Sequence, residues 1–330
     1  MTAKNAIDAL STQRCEIFFF ALSAYTLRPL RLNLVHFLTF DFYFFLMKNI
    51  RRLPKWLKMQ RASGENYSRI KHLVENNHLH TICTSGNCPN IGECWNAGTA
   101  TFMILGDICT RSCKFCAVKT GKPLPPDPDE PLRLAESLKI LKLKHCVITS
   151  VDRDDLPDRG SGFWSEVIST IKRVNPALTI ESLIPDFDGK PENIQKIIDA
   201  GTDVISHNIE TVRRLTPMIR TKAKYERSLD IIKYISSKGK TAKSGLMIGL
   251  GESDNEVLET MNDLILAGCK ILTIGQYLKP SPEHMEVVEY VTPEKFEKYR
   301  QSAITRGFKF VECTPLVRSS FHAEKHIAAG

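Results

Sequence analysis

From about residue 100 onward, apolar runs of strand length alternate with helical stretches, and this alternation restricts the possible folds more than any other feature of the chain. Six runs are expected to be strands: Thr101–Leu105, Cys146–Ser150, Thr179–Ile184, Asp203–Ser206, Ser244–Gly249 and Ile271–Gly275. Six stretches are expected to be helices: Leu132–Leu143, Phe163–Val174, Ile194–Ala200, Tyr225–Ser237, Asn255–Ala267 and Pro293–Arg306. The alternation predicts an α/β fold in which helices cover a parallel sheet.

Six βα units can form either an open doubly wound sheet or a partial barrel, and the pattern alone does not choose between them. In both arrangements the functional site lies at the carboxyl ends of the strands, in the βα loops. Functional side chains are therefore expected directly after the predicted strands.

Cysteine is unevenly distributed along the chain. Ten cysteines are present, and six of them lie between Cys83 and Cys116. A secreted disulfide scaffold would be short and rich in cysteine throughout. The local crowding instead predicts metal or cluster ligation in a reducing compartment, which we expect to be the cytoplasm. The scattered cysteines are predicted to be small buried hydrophobes: Cys15, Cys146, Cys269 and Cys313.

The first predicted strand is followed closely by three cysteines, Cys109, Cys113 and Cys116, with the spacing C-x3-C-x2-C. Structural zinc sites usually have four ligands, commonly arranged in C-x2-C pairs. Three thiolates on a cubane iron–sulfur cluster would leave one iron open to a substrate, and thiolates suit such clusters. A zinc knuckle or incidental thiols are the alternatives.

A second triad, Cys83, Cys88 and Cys94, precedes the first with the spacing C-x4-C-x5-C. It too lacks a fourth ligand. A zinc ion completed by His78 or His80 would satisfy this spacing, and a second iron–sulfur cluster would also satisfy it. The spacing leaves both possibilities open.

The two triads and their surroundings resemble the lipoyl synthase family of radical S-adenosylmethionine (SAM) enzymes. The first spacing, with Phe115 before its last cysteine, is typical of radical SAM enzymes, and the second triad directly upstream is typical of lipoyl synthases. The resemblance extends from Pro54 to Lys325, although Phe321 stands where tyrosine is usual. Further similar stretches are 96–103, 149–156, 207–212, 244–252, 274–281 and 317–323.

The resemblance implies a partial (β/α)6 barrel of radical SAM type, with N-terminal and C-terminal extensions that contribute to a second cluster site. It implies SAM and two 4Fe–4S clusters as cofactors. The first triad would carry the cluster that binds and cleaves SAM, so its cysteines are the implied catalytic ligands. The second triad, with Ser320 as fourth ligand, would carry an auxiliary cluster that is consumed as the sulfur donor.

The implied substrate is an octanoyl chain attached to a lysine of a lipoyl carrier domain. Two sulfur atoms would enter at C6 and C8, with one SAM molecule spent for each. Implied carriers are the E2 subunits of 2-oxoacid dehydrogenases and the H protein of glycine cleavage. The implied electron donor is a ferredoxin or a flavodoxin.

Five residues in the predicted βα loops are expected to bind SAM: Asn208, Glu210, Arg220, Gly249 and Glu252. Asn208 and Glu210 would hydrogen-bond its polar groups, and Arg220 would pair with its carboxylate. Glycine at 249 would let the backbone approach a ligand closely. The alternatives are solvated loop residues, an exposed arginine and an ordinary tight turn.

The net charge of +8 favours acidic partners over basic ones. No stretch combines basic and aromatic residues as a nucleic-acid module does, so neither nucleic acid nor a membrane is expected as a partner. The run Arg153-Asp154-Asp155 is expected to form an ion network or to orient a peptide substrate.

Four segments are expected along the chain. Residues 1–46 form an N-terminal extension whose apolar runs are shorter than the roughly 20 residues of a membrane-spanning helix. Disorder or a start site assigned too far upstream would explain its composition, and a genuine membrane-touching extension is the alternative. Residues 47–99 form an arm with the auxiliary cysteines. Residues 100–307 form the barrel, and residues 308–330 form a tail with the serine ligand.

Two other classes of protein share some of these features. A methylthiotransferase also uses two clusters, but it usually carries an added RNA-binding domain. The predicted segments leave no room for such a domain in the 330 residues. A zinc protein would use the cysteines structurally. Brown protein after anaerobic purification indicates iron–sulfur clusters, whereas colourless, zinc-loaded protein would exclude the enzyme.

We predict that residues 1–46 are dispensable, because they break with the composition of the rest and carry no motif. A chain that starts at Met47 should retain its iron content and its activity. Iron analysis and turnover, measured beside the full chain, check this. Loss of solubility or of turnover on truncation would show that the extension is required.

Overall fold

The computed structural model describes residues 53–59 and 62–325. Its strands, in chain order, are β1 (His80–Thr81), β2 (Thr101–Ile104), β3 (Ile108–Cys109), β4 (Lys119–Thr120), β5 (His145–Ser150), β6 (Thr179–Leu183), β7 (Val204–Ser206), β8 (Thr241–Ile248), β9 (Ile271–Gln276) and β10 (Phe310–Cys313). Eight of them form one sheet in the order β1-β2-β5-β6-β7-β8-β9-β10, and β3 pairs with β4. Neighbours in the large sheet are parallel except β1, which is antiparallel to β2.

The α-helices lie between and after these strands. They are α1 (Glu65–Asn76), α2 (Ile82–Ser85), α3 (Ile91–Asn96), α4 (Glu130–Leu141), α5 (Ser161–Val174), α6 (Pro191–Asp199), α7 (Thr216–Ile219), α8 (Tyr225–Ser237), α9 (Asp254–Leu266) and α10 (Pro293–Thr305). Short 3-10 helices occur at Lys55–Leu57 and Phe187–Gly189.

The predicted alternation is confirmed. The six predicted strands correspond to β2 and β5–β9, and the six predicted helices to α4, α5, α6, α8, α9 and α10, with ends shifted by at most three residues. The parallel α/β architecture therefore follows from the sequence pattern. The predicted extension 1–46 and Cys15 lie outside the described residues, whereas Cys146, Cys269 and Cys313 are buried as predicted.

Local sequence signals fix where several helices begin. Ser253 and Glu256 form a capping box at the start of α9, which satisfies backbone N–H groups that have no partner within the helix. Thr292 caps α10 through the Lys295 N–H, and Pro293 occupies the first turn, where its missing N–H costs nothing. These caps set the ends of the loops that follow β8 and β9.

The interior of the sheet contains a buried ion pair. Lys243 on β8 donates to both carboxylate oxygens of Glu181 on β6, at 2.7 and 2.9 Å, across the intervening strand β7. Both side chains are fully buried. Burial disfavours each charged group alone, so the two charges are stable in the core only because they pair with good geometry.

Within the described part of the chain, no helix combines the length and apolar character needed to cross a membrane.

Candidate functional site

The first cysteine triad lies on the loop that follows β2. Leu105 and Gly106 have positive φ angles of 68° and 89°, so the chain turns sharply as it leaves the strand. Cys109 ends β3, and Cys113 and Cys116 follow before β4. Since β2 is parallel to its neighbour β5, this loop lies at the carboxyl edge of the sheet.

Contacts from two other βα loops hold this cysteine loop in place. The Lys114 N–H donates to the Ile219 carbonyl at 2.9 Å, and the Met285 N–H donates to the Lys114 carbonyl at 3.1 Å. A ring nitrogen of His284 lies 2.9 Å from the Cys116 carbonyl oxygen. The loop is thus fixed by the segments that follow β7 and β9.

The three thiols of this loop lie close enough to raise one another's pKa. Burial raises the pKa of Cys116 to about 12, with further contributions from Cys113 and Cys109. The backbone N–H groups of Arg111 and Asp152 each lie 3.4 Å from Cys109 Sγ. Three half-buried neighbouring thiols, one of them facing two N–H donors, fit an iron–sulfur cluster, because bound iron would stabilise thiolates that partial burial otherwise disfavours.

Arg111, a residue that sequence reasoning missed, joins the cysteine loop to the ends of β5 and β6. Its Nε and Nη2 donate to both carboxylate oxygens of Asp154 at 2.8 Å, and Nη2 also donates to Asp186 at 2.8 Å. Its Nη1 lies 3.2 Å from the Asp152 carboxylate. An arginine inside the motif and aspartates directly after two strands were the signals that could have revealed this cluster.

The charges in this cluster compensate one another. Burial raises the pKa of Asp152 to about 6 although Arg111 opposes the rise. Burial would raise the pKa of Asp186 as well, but hydrogen bonds and charge from Arg111 hold it far below its usual range. Arg227 on α8 adds a second cation 3.0 Å from Asp186. The Arg111 cluster, meaning Arg111 with these three aspartates, therefore remains ionised around a buried guanidinium.

The predicted ion network at residues 153–155 is present. Arg153 forms a bidentate pair with Asp155 at 2.9 and 2.8 Å and donates to the Leu105 carbonyl at 3.4 Å. Asp154 contacts Arg111 instead of Arg153, and Lys222 Nζ lies 3.2 Å from the Asp154 carboxylate. Two separate ion pairs thus border the first cysteine loop.

The second triad is built on two short helices. Cys83 lies on α2, whose first turn is capped by Thr81, and Cys94 lies on α3. Cys88 follows α2, and its N–H donates to the Cys83 carbonyl at 3.0 Å. Burial raises the pKa of Cys94 to about 12, and the neighbouring Cys88 and Cys83 add to the shift. The three thiols are free and adjacent, as cluster ligands would need to be.

Residues 314–325, which we call the C-terminal tail, run from β10 toward this second triad. The Gln276 N–H donates to the Pro315 carbonyl at 3.0 Å, which holds the tail at the end of β9. The Asn90 side chain then donates to the Leu316 carbonyl at 2.7 Å. Since Asn90 lies between Cys88 and Cys94, this bond joins the tail to the second triad.

Ser320 is half-buried within the tail. Arg318, two residues earlier, bonds only to the carbonyls of Gln276 and Val317 among the described residues. Burial lowers the pKa of Arg318, whereas its electrostatic interaction with Cys88 opposes this decrease. The tail therefore brings a half-buried cation, and with it the segment of Ser320, toward Cys88 of the second triad.

Asn208 and Glu210 follow β7 directly. The Asn208 amide donates to Ser319 Oγ at 2.6 Å, whereas its Oδ1 is enclosed and has no donor. Glu210 adopts a φ of 67° and bridges to β8. Burial raises the pKa of Glu210, while Arg220 and a hydrogen bond from Asn208 oppose the rise.

Arg220 is buried, so the alternative prediction of an exposed arginine is wrong. A buried position is compatible with the prediction that Arg220 binds a ligand. Its Nη1 donates to Ser228 Oγ at 2.9 Å and to the Ile209 carbonyl at 3.3 Å. Burial raises the pKa of Cys113 to about 11, and the charge of Arg220 opposes that rise. Arg220 thus stands beside the first triad, near Glu210.

Gly249 and Glu252 form a closed turn after β8. The Glu252 carboxylate accepts the N–H groups of Gly249 and Leu250. A side chain at position 249 would meet Gln276 Nε2 at 2.2 Å and the Glu289 carbonyl oxygen at 2.5 Å. Packing alone therefore explains this glycine, and a role of either residue toward SAM stays a prediction.

Among residues 53–59 and 62–325, no group of three or more His, Cys, Asp or Glu side chains is arranged to hold a single metal ion. This does not test the triads, because each thiolate of a cluster binds a different iron atom.

Comparison with known proteins gives two matches to family profiles. The profile of the radical SAM superfamily matches residues 103–264, and that of the N-terminal domain of lipoyl synthase matches residues 46–88. The lipoyl synthase of Parabacteroides distasonis is 58% identical over 276 residues, which cover 84% of this chain and 98% of the relative. The mitochondrial lipoyl synthase of Nematostella vectensis is 55% identical over 275 residues, 83% of this chain and 94% of the relative. The chain belongs to the lipoyl synthase family.

Family membership confirms the resemblance that the cysteine motifs indicated. It implies SAM and iron–sulfur clusters as cofactors, and it excludes the zinc protein and the methylthiotransferase. The first triad lies inside the matched radical SAM region, and Cys83 and Cys88 lie inside the matched lipoyl synthase region.

We predict that Arg111→Met lowers the free energy of unfolding of the iron-free protein by about 3 kcal/mol, because it removes the central cation of three largely buried carboxylates. Arg227 and Lys222 would still contact Asp186 and Asp154. The substitution should also lower the iron bound by the first triad. Urea unfolding and iron analysis measure the two effects.

Arg153→Met is the matched control, since Arg153 is equally buried but its partner Asp155 reaches solvent. It should cost less stability and leave the iron content unchanged. Equal iron loss in both variants would contradict a specific role of Arg111 in the cysteine loop.

Proposed function

We propose that this chain is a lipoyl synthase that inserts sulfur at C6 and C8 of an octanoyl chain on a lysine of a lipoyl carrier domain. The observation that supports this most directly is the presence of two triads of largely half-buried thiols, one on the loop after β2 and one on and between α2 and α3. They lie within a chain that aligns with nearly the whole length of named lipoyl synthases.

The cysteines of the first triad would hold a 4Fe–4S cluster with SAM, and the second triad with Ser320 would hold the auxiliary cluster. When bound, these groups supply a 5′-deoxyadenosyl radical for hydrogen abstraction and the sulfur for insertion. The protein contributes burial, which excludes water, and fixed donors around each sulfur. Asp152 and Arg111 present two N–H groups to Cys109 Sγ, and such bonds tune a cluster.

The residues after β7 match the two charged groups of an amino acid such as the methionine part of SAM. Asn208 Oδ1, enclosed without a donor, and the Glu210 carboxylate would accept from its ammonium group. Arg220 would pair with its carboxylate, since its guanidinium has no carboxylate hydrogen-bonded to it among the described residues. This complementarity supports the three predicted contacts.

A buried histidine orients Arg220. One ring nitrogen of His207 lies 3.0 Å from the Ile184 carbonyl oxygen, and the other lies 3.0 Å from Ser228 Oγ. Burial and the charge of Arg220 lower the pKa of His207 to about 4, so the ring is neutral near pH 7. A neutral ring can donate to the carbonyl and accept from Ser228, which leaves the serine oxygen free to accept from Arg220.

Family membership supports the remaining parts of the proposal. The sheet would curve into a partial (β/α)6 barrel that leaves one side open to a protein-borne chain. The carriers would be octanoylated E2 subunits or the glycine cleavage H protein, and a ferredoxin or flavodoxin would supply electrons in the cytoplasm.

The proposal is tested by anaerobic reconstitution of the full chain, followed by mass spectrometry of an octanoylated carrier peptide incubated with SAM and a reductant. A mass gain corresponding to two inserted sulfur atoms is expected. A peptide that stays unmodified while SAM is cleaved would contradict the assignment.

We predict that the two triads separate by function. Alanine at Cys109, Cys113 or Cys116 should abolish formation of 5′-deoxyadenosine, because the cluster that anchors SAM is lost. Alanine at Cys83, Cys88 or Cys94 should leave some SAM cleavage but no lipoyl product. Chromatography with mass detection measures both products.

The control is Cys269→Ala, which removes a buried thiol outside both triads. It should retain both products. Lipoyl product from a variant of the second triad would remove that triad from the role of sulfur donor.

We also predict distinct effects of two changes at Ser320. Ser320→Ala should impair sulfur insertion more than SAM cleavage, because the fourth iron of the auxiliary cluster loses its ligand. Ser320→Cys should keep the cluster but slow sulfur release, since thiolate binds iron more firmly than a hydroxyl does. The ratio of lipoyl product to 5′-deoxyadenosine reports the effect.

Ser319→Ala is the neighbouring comparison, since Ser319 contacts Asn208 and is not the predicted ligand. It should weaken SAM binding. Its ratio of lipoyl product to 5′-deoxyadenosine should stay closer to that of the unmodified chain than the ratio of Ser320→Ala does. A normal ratio in both Ser320 variants would exclude Ser320 from the cluster.

A further inference from the structure

Contacts with the helices identify the two faces of the large sheet. Trp164 on α5 donates to Ser150 Oγ at the end of β5 at 3.0 Å, and a ring nitrogen of His207, directly after β7, lies 3.0 Å from Ser228 Oγ on α8. Successive side chains of a strand point to opposite faces of the sheet. Ser206, which precedes His207, therefore faces away from α8, and we call the face on which it lies the inner face.

The inner face has an accessible part and an enclosed part. The strand register places Leu183 and Lys243 beside Ser206, so both lie on the inner face. Glu181 and Met247 share this face, since each lies an even number of positions from one of them along the same strand. Leu183 and Met247 are half-buried, whereas Glu181, Ser206 and Lys243 are fully buried. Access to the inner face therefore stops at Glu181 and Lys243.

The ion pair between Glu181 and Lys243 closes this face on the side away from the carboxyl edge of the sheet. Lys243 Nζ reaches across β7 to both carboxylate oxygens of Glu181, at 2.7 and 2.9 Å. A group that separated these atoms would leave two buried charges uncompensated, which weakens binding on the order of a hundredfold or more. Each methylene that leaves water for an apolar site strengthens binding only about fourfold. An alkyl chain that is one or two carbons longer therefore cannot displace the pair.

Both parts of the candidate site open onto the inner face. A side chain at Gly245, two positions after Lys243, would meet Asn208 Oδ1 at 2.7 Å and Ser319 Oγ at 2.8 Å. Asn208 is a predicted SAM contact, and Ser319 belongs to the C-terminal tail, which is bonded to Asn90 in the segment of the second triad. A substrate chain that reaches both cofactors would therefore lie over this face.

We propose that the Glu181–Lys243 pair is the floor of the acyl pocket, meaning the space over the inner face that receives the octanoyl chain, and that it limits the length of chain that the protein accepts. The inference rests on the proposed function, which supplies this chain. The lysine end of the chain stays with the carrier at the carboxyl edge, so the C8 methyl lies deepest and meets the floor. The methylenes contact Leu183 and Met247, the half-buried apolar side chains of the same face.

The test lowers the floor in the full chain without leaving a buried charge. Glu181→Val combined with Lys243→Val replaces the ion pair by two shorter apolar side chains. We expect the kcat/KM for a decanoyl carrier peptide, relative to that for the octanoyl peptide, to rise about tenfold, since two more methylenes can be buried. Mass spectrometry after anaerobic reconstitution measures sulfur insertion into both peptides.

Glu181→Leu combined with Lys243→Met is the matched control, because it removes the same two charges but keeps side chains of similar length. Its ratio of decanoyl to octanoyl kcat/KM should stay near that of the unmodified chain. An equal rise in both double variants would show that a loosened sheet, and not a deeper pocket, admits the longer chain. An unchanged ratio in the double valine variant would show that the chain does not reach the pair, and either result would overturn the inference.

A second measurement leaves the buried pair unchanged. Leu183→Phe adds volume at a half-buried position that lies two residues nearer the carboxyl edge than Glu181. The dissociation constant of a labelled octanoyl peptide, measured without reductant so that no turnover occurs, should rise several-fold. That of a hexanoyl peptide, which is two carbons shorter, should stay unchanged. Equal weakening of both peptides would contradict this position of the chain end.

An unmodified chain that inserts no sulfur into the octanoyl peptide would overturn the proposed function, and the floor with it. Sulfur insertion by the unmodified chain, together with an unchanged chain-length ratio in a double valine variant of normal circular dichroism, would overturn the floor alone. The two failures are therefore distinguishable.

Discussion

The buried contact between Arg111 and three aspartates is the constraint on which the candidate site depends. A buried guanidinium, the fully buried Asp186 carboxylate and the two partly buried carboxylates of Asp152 and Asp154 are unfavourable individually, and good geometry stabilises them as a set. Arg111 belongs to the cysteine loop, Asp152 and Asp154 to the end of β5, and Asp186 to the end of β6. The loop can therefore adopt its shape only when both strands are in register, and the positions of the first three thiols follow from the sheet.

The same contact extends to the helices that cover the sheet. Asp186 caps the short helix Phe187–Gly189 and also pairs with Arg227 on α8. A carboxylate shared between two arginines on different elements cannot move toward one without leaving the other. The carboxyl ends of β5 and β6, the cysteine loop and α8 thus form one electrostatic unit, and the two N–H groups that face Cys109 Sγ are fixed by it.

Most of the fold could be predicted from the sequence because its strands and helices are long, buried and regularly spaced. Elements without such a pattern escaped prediction. The strand β1 has two residues, and β10 pairs along the edge of the sheet with most of its residues only half-buried. The two cysteine triads were evident from their spacing, since each triad is local in sequence. The contacts of Arg111 with its aspartates and the bond between Asn208 and Ser319 join residues that are 41 to 111 positions apart, so only the folded chain brings them together.

The C-terminal tail shows why two glycines in the strands are needed. A side chain at Gly275 would meet the Val317 carbonyl oxygen at 2.0 Å, and one at Gly245 would meet Ser319 Oγ at 2.8 Å. The tail therefore crosses β8 and β9 at points where the strands present no side chain. It joins Asn208, a predicted SAM contact, to Asn90 in the second triad. The first triad is held by segments that extend as far as Met285, whereas the second also contacts residues 316–318, which follow β10. Since contacts between distant segments form late and at greater entropic cost, the second triad should acquire its full set of neighbours last.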